Sequence, residues 1–133
     1  MMTNEELIQR AASVIAPRKT RNGLFADVGC ALLSVENKVY LGVCAASGSN
    51  VLCAEQNAIG SMITDSVYRI AKIVAVWKDD QGAVHVISPC GNCRQMMFEM
   101  DKQNLQAEII LDHDRTATLE ALLPYHDWWK KQG

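Results

Sequence analysis

The stretch Ser88-Pro89-Cys90-Gly91-Asn92-Cys93-Arg94-Gln95 constrains this chain more than any other. Its Pro-Cys-x-x-Cys core sets two thiols one helical turn apart, behind a proline suited to the first turn of a helix. Alone, the pair fits a redox dithiol or half of a metal site. A second fragment, Cys53-Ala54-Glu55, adds a third thiol and a carboxylate, which completes the ligand and acid/base set of a zinc hydrolase. If Cys53 and Cys90 each stand at a helix start, both helices aim unpaired N–H groups and positive dipole ends at one point, which stabilises thiolates there. Three thiolates on one Zn2+ leave a net negative centre, for which the helix ends and Arg94 are compensators, and a fourth position remains for water. Glu55 must reach back from the first turn to serve that position.

The rest of the chain supplies a scaffold for such a convergence. Thr3-Asn4-Glu5-Glu6 has capping-box spacing, and Leu7, Ile8, Ala11, Ala12, Val14 and Ile15 form an apolar face that Pro17 ends. Residues 18–23 read as a turn-prone link, 28–35 as a strand covered on both faces, 38–44 as its antiparallel return, and 45–52 as a loop. A helix then begins near Cys53, with Ala58, Ile59, Met62 and Ile63 inward. Strands follow at 69–77, 84–87 and 107–111, and a second buried helix carries Met96, Met97, Phe98 and Met100. Thr118 caps a short last helix over 119–123. This order predicts a three-layer α/β domain in which helices cover a mixed sheet.

With 133 residues, 49% of them hydrophobic, the chain is sized for one core, and a single domain over 1–133 is expected. Thirteen basic against fifteen acidic side chains, with no Lys/Arg run, argue against a nucleic-acid or membrane surface and for a small-molecule partner. The first ten residues lack the apolar core of a signal peptide, so a cytoplasmic location is expected. Five cysteines, an odd number, then read as reduced thiols or metal ligands.

Cys53-Ala54-Glu55 with Pro89-Cys90-Gly91-Asn92-Cys93-Arg94-Gln95 resembles the small, homotetrameric cytidine deaminases, a type of zinc deaminase with a non-ligand Glu. Val28-Gly29-Cys30-Ala31-Leu32 resembles the family's first strand, and Leu122-Leu123-Pro124 its C-terminal element. The resemblance implies an α/β/α fold on a five-stranded mixed sheet, Cys53, Cys90 and Cys93 as zinc ligands, Glu55 as proton shuttle and hydrolytic release of ammonia. It also implies a homotetramer, with backbone groups at Ala54 and Ser88 holding the substrate ring and departing amine. Nucleoside-specific members grip the ribose with an Asn and a Glu where this chain has Gly42 and Cys44, a segment more like that of blasticidin S deaminases. Gln56 replaces a common Arg, and Ala26 replaces a usual aromatic, with Phe25 beside it. Phe25, Gly42 and Cys44 are accordingly expected on the substrate side of the pocket. The expected substrate is a 4-aminopyrimidine nucleoside or analogue, from cytidine to blasticidin S or a modified cytosine compound.

Three other readings remain open at this level. Cys44 as a fourth thiolate would close the site and make it a non-catalytic, zinc-stabilised binding or assembly module. A redox Cys-x-x-Cys leaves Cys53 and Glu55 unexplained. Nucleic-acid editing is disfavoured by the acidic balance and by Cys rather than His before Ala54-Glu55. The tail residues Tyr125, Trp128 and Trp129 read as oligomer packing, or as substrate stacking near a neighbour's site.

Overall fold

The computed structural model describes residues 2–126. Thr3 starts helix α1 (Asn4–Ser13) through a closed capping box: its Oγ1 accepts from the Glu6 N–H at 3.1 Å, and Glu6 Oε1 accepts from the Thr3 N–H at 3.2 Å. Strands β1 (Arg18–Thr20), β2 (Gly23–Ser34), β3 (Val39–Ser47) and β4 (Val51–Leu52) follow, then helix α2 (Ala54–Thr64). After these come β5 (Ile70–Lys78), β6 (Val84–Ile87), α3 (Gly91–Met100), a 3-10 turn at Lys102–Gln106, β7 (Glu108–Asp112), β8 (Arg115–Thr118) and α4 (Leu119–Leu122).

The sheet runs β4-β3-β2-β5-β7-β8, with β1 paired to β2 and β6 to β5. The β5–β7 pair is parallel and the other ladders are antiparallel, so the sheet is mixed as expected. It has eight strands where five were expected. The additional three, β1, β4 and β8, are at most four residues long and exposed along most of their length, so they carry no core periodicity to read. Residues 45–52 are correspondingly more ordered than a loop, since β3 continues to Ser47 and β4 returns along it with Ala45 opposite Leu52.

Alternation along the central strands divides the interior into two layers. Ala31, Leu33, Val74, Val76 and Ile110 pack with Leu7, Ile8, Ala11 and Ala12 of α1 on one face. Cys30, Leu32, Ile73 and Ile109 pack with Ala58, Ile59 and Met62 of α2, Met97 of α3 and Leu119 of α4 on the other. This is the three-layer α/β/α arrangement, and the central strand β2 is buried throughout its second half, and apolar there up to Ser34, because both faces are covered. Of the predicted inner methionines of α3, Met97 is fully buried while Met96 and Met100 lie at the margin of that core. Buried Asn104 ties the layers together: its Oδ1 accepts from Ile70 N–H at 2.8 Å, and its Nδ2 donates to the Tyr68 and Met97 carbonyls, each at 2.9 Å. Among the described residues no helix is long and apolar enough to cross a membrane.

Candidate metal centre and substrate cleft

Helices α2 and α3 enter the same face of the sheet, and each has a cysteine as its N-cap, Cys53 and Cys90, with extended backbone. Pro89 therefore lies just ahead of the helix rather than in its first turn, as the spacing had suggested. Cys93, one turn into α3, returns its sulfur to 3.5 Å from that of Cys90. The sulfurs of Cys53, Cys90 and Cys93 all lie within 4.8 Å of one another, the one such cluster of candidate ligand atoms among the described residues. Thiolates held about 2.3 Å from a tetrahedral zinc are about 3.8 Å apart, so the three fit a shared ion with little movement.

Their electrostatics call for a cation. Desolvation, followed by the Glu55 charge, pushes the Cys93 thiol far above the usual thiol range, and desolvation also raises Cys53. Cys90 is held down, chiefly by the backbone N–H of Cys93. Three crowded thiols cannot all ionise unaided, and a divalent ion that displaces their protons removes the conflict. Glu55 sits in the first turn of α2 and is only 6% exposed. Burial raises its pKa, opposed in part by its own backbone N–H.

A cleft of about 340 Å³ opens over this cluster. Cys53, Ala54, Glu55, Ser88 and Cys90 line one side. The other side is formed by Asp27 and Cys44 with apolar Val28, Val51 and Leu52. Cys44 lies outside the three-sulfur group; its Sγ donates to Asp27 Oδ1 at 2.8 Å. Burial first, then the Asp27 carboxylate, hold that thiol protonated above the usual range, so Cys44 acts as a donor and not as a fourth thiolate.

Residues 1–108 match the model of the cytidine and deoxycytidylate deaminase zinc-binding region. The chain belongs to that deaminase family. It is 31% identical over 116 residues to a cytidine deaminase of Mycoplasma genitalium, covering 86% of this chain and 85% of the relative. The crystal structure of cytidine deaminase from Burkholderia pseudomallei superposes with a TM-score of 0.71 at 29% identity, over 93% of this chain and 98% of that one. Cytidine deaminase from Mycobacterium tuberculosis gives a TM-score of 0.67 at 27% identity, over 91% and 94% of the two chains. As a member of the deaminase family the chain is a hydrolase of C–N bonds, with zinc as its cofactor and the Cys53, Cys90 and Cys93 cluster in position to bind it.

Two residues expected at this deaminase's substrate side lie off the cleft wall. Gly42 is under α2, where a Cβ would stand hard against the Ala54 carbonyl oxygen and 2.5 Å from the Ala58 nitrogen. Phe25 pairs with Arg18 and Ala45, and its ring lies against Gly23. The cause is a bulge: four residue steps on β2, from Phe25 to Gly29, face two on β3, and Ala26 adopts a left-handed φ of 63°. That irregularity brings Asp27 to the cleft, a residue the sequence reading passed over although it is the lone charge at the edge of an apolar run.

The departure at Gln56 and the motif residue Arg94 each have a local role in this deaminase. Gln56 caps α2, accepting from the Cys53 N–H at 3.1 Å. Arg94 donates from Nε to the Pro89 carbonyl at 2.9 Å and from Nη1 to the Leu122 carbonyl at 3.0 Å. It braces the Cys90 turn against α4, so its hydrogen bonds go to backbone oxygens and not to sulfur. Tyr125 is 97% exposed, and Gln95 holds the His126 carbonyl at 3.1 Å. Trp128 and Trp129 lie outside the described residues.

Proposed function

We propose that residues 1–133 form one zinc-dependent deaminase domain that releases ammonia from a 4-aminopyrimidine nucleoside or analogue. The observation that carries this reading is a buried carboxylate, Glu55, sharing a cleft with three convergent cysteine sulfurs. Cys53, Cys90 and Cys93 would hold the metal, and zinc, when bound, supplies the Lewis acidity that makes water a nucleophile near neutral pH. Glu55 takes one water proton and delivers it to the ring nitrogen as the amino-bearing carbon is attacked, then takes the second proton from the newly bonded hydroxyl and passes it to the amine, which leaves as ammonia as the carbonyl forms. Its raised pKa suits a group that must both accept and give a proton near neutrality. Ser88 and Ala54 line the cleft beside the cysteines, where their backbone groups would flank the ring. Arg94 keeps the Cys90 turn in place.

Cytidine is the first substrate to try, because the relatives carry that activity in their names. Blasticidin S and modified cytosine compounds stand beside it, because neither Gly42 nor Cys44 reproduces the ribose-binding pair. The working form proposed is a cytoplasmic homotetramer, as the resemblance to the small cytidine deaminases implies. Light scattering checks that assembly. Glu55→Gln tests the reaction: the variant should keep one zinc per chain while ammonia release falls by about 10²–10⁴-fold. Zinc retained with turnover near that of the parent would refute Glu55 as the shuttle.

A further inference from the structure

The wall of the cleft formed by β2, β3 and β4 carries one charged side chain, Asp27, and one thiol, Cys44, set among apolar residues. Cys44 occupies a defined place: Ala45 opposite Leu52 in the β3–β4 ladder puts it across from the residue that starts α2. Its thiol donates to Asp27 Oδ1 at 2.8 Å. A carboxylate has about four acceptor positions, so this bond orients the side chain and leaves acceptor capacity at a residue that lines the cleft. The bulge that places Asp27 there includes Ala26 at φ 63°, an unfavourable backbone for alanine and one held where the chain faces the cleft.

The charge balance of the cleft points the same way. Its lining holds two carboxylates, Asp27 and Glu55, together with Cys53 and Cys90, and no Lys, Arg or His is among the described lining residues. Arg94, the cation adjacent to the metal turn, is bonded to the Pro89 and Leu122 carbonyls. A phosphate entering here would meet like charge without a partner, whereas a hydroxyl or amine would meet an oriented acceptor. The family includes deaminases of both a nucleoside and a nucleotide, so this difference separates two substrate classes.

Resting on the deaminase reading above, we propose that Asp27, oriented by Cys44, is the specificity-determining residue that admits aminopyrimidines bearing a neutral or cationic hydrogen-bond donor and turns away phosphorylated ones. Two substitutions separate its charge from its acceptor role. Asp27→Asn keeps an acceptor and removes the charge, so it should narrow the preference for nucleoside over nucleotide by relieving the repulsion of phosphate. Asp27→Ala removes both and should weaken nucleoside binding as well.

The experiment is calorimetric titration with cytidine and with cytidine 5′-monophosphate of the zinc-loaded protein in the Glu55→Gln background, where turnover is suppressed, with Asp27 intact (the parent) and with each Asp27 substitution, alongside zinc content and ammonia release by the matching enzymes that retain Glu55. The parent should bind the nucleoside about tenfold or more tighter than the monophosphate. In Asp27→Asn that ratio should shrink by about tenfold, and in Asp27→Ala cytidine affinity should fall by about tenfold, with one zinc per chain throughout. Equal affinity of the parent for the two ligands, or the same ratio in parent and Asp27→Asn, overturns the assignment. Asp27-dependent binding without ammonia release from any aminopyrimidine supports the assignment and instead overturns the proposed reaction.

Discussion

Replacing Gly42 by alanine tests whether the metal centre depends on how closely α2 lies on the sheet. The added Cβ would be pressed against the Ala54 carbonyl oxygen and stand 2.5 Å from the Ala58 nitrogen, where ordinary contact begins at 3.4 Å. Both obstacles are backbone, so no rotamer change removes the overlap, and α2 must lift from β3 by about 1 Å. That movement strains the bond from the Val43 N–H to Asn57 Oδ1, now 2.9 Å, and carries Cys53 and Glu55 away from the sulfurs on α3. Overpacking of this kind costs about 1–3 kcal/mol. In a domain of this size that lowers Tm by roughly 4 °C per kcal/mol. Misplacing catalytic groups by about 1 Å reduces turnover by about 100-fold. Gly60, in the same helix, is the control: a Cβ there meets nothing within 4 Å, so Gly60→Ala should stabilise the fold by about 0.5–1 kcal/mol with activity intact. Melting curves, zinc content and ammonia release on both variants decide the matter. Parent-like Tm and rate in Gly42→Ala, or the same effect from both alanines, would refute the argument.

Asn104→Ala should destabilise the fold by about 2–4 kcal/mol in urea unfolding, because it strands the Ile70 N–H and the Tyr68 and Met97 carbonyls inside the protein. Removing the metal with a chelator should lower stability by about 3 kcal/mol at moderate excess of zinc over its Kd. That loss should come more readily as pH falls, since protons compete for Cys53, Cys90 and Cys93; calorimetric scans at several pH values check it. The Asp65 carboxyl is held below its usual range by the Tyr40 hydroxyl, 2.6 Å away, and then by the Lys38 ammonium at 2.9 Å. Its folded pKa lies below the unfolded one, so its contribution is present above the ordinary Asp range and lost as pH drops through the lowered value. Tyr40→Phe should move the Asp65 NMR titration upward, and an unmoved titration contradicts the assignment.

The parts of this protein legible in its sequence are those where chemistry demands particular side chains at short spacing. Cys90 and Cys93 had to share a helical turn, and Cys53 and Glu55 had to share a helix start, so both fragments declare themselves without a fold. Strand β2 was legible because burial on both faces leaves a continuous apolar run. Strands β1, β4 and β8 were not, since each is short, mostly exposed and held by a neighbour's backbone. Gly42 was ambiguous for a deeper reason. A glycine records the absence of a side chain, and whether a ligand or another backbone fills the space depends on register. That register sets Gly42, Cys30, Ala75 and Ile87 in one row across β3, β2, β5 and β6, small at three of its four places. On this low ground α2 comes close enough to bring Cys53 and Glu55 to the α3 cysteines. The same closeness rules out a side chain at position 42 that could reach a substrate. Recognition must then come from an element that α2 does not cover, and the β2 bulge, with Asp27 at the cleft and Cys44 bonded to it, is so placed. The departure at Gly42 and the new acceptor at Asp27 are thus two consequences of one packing choice.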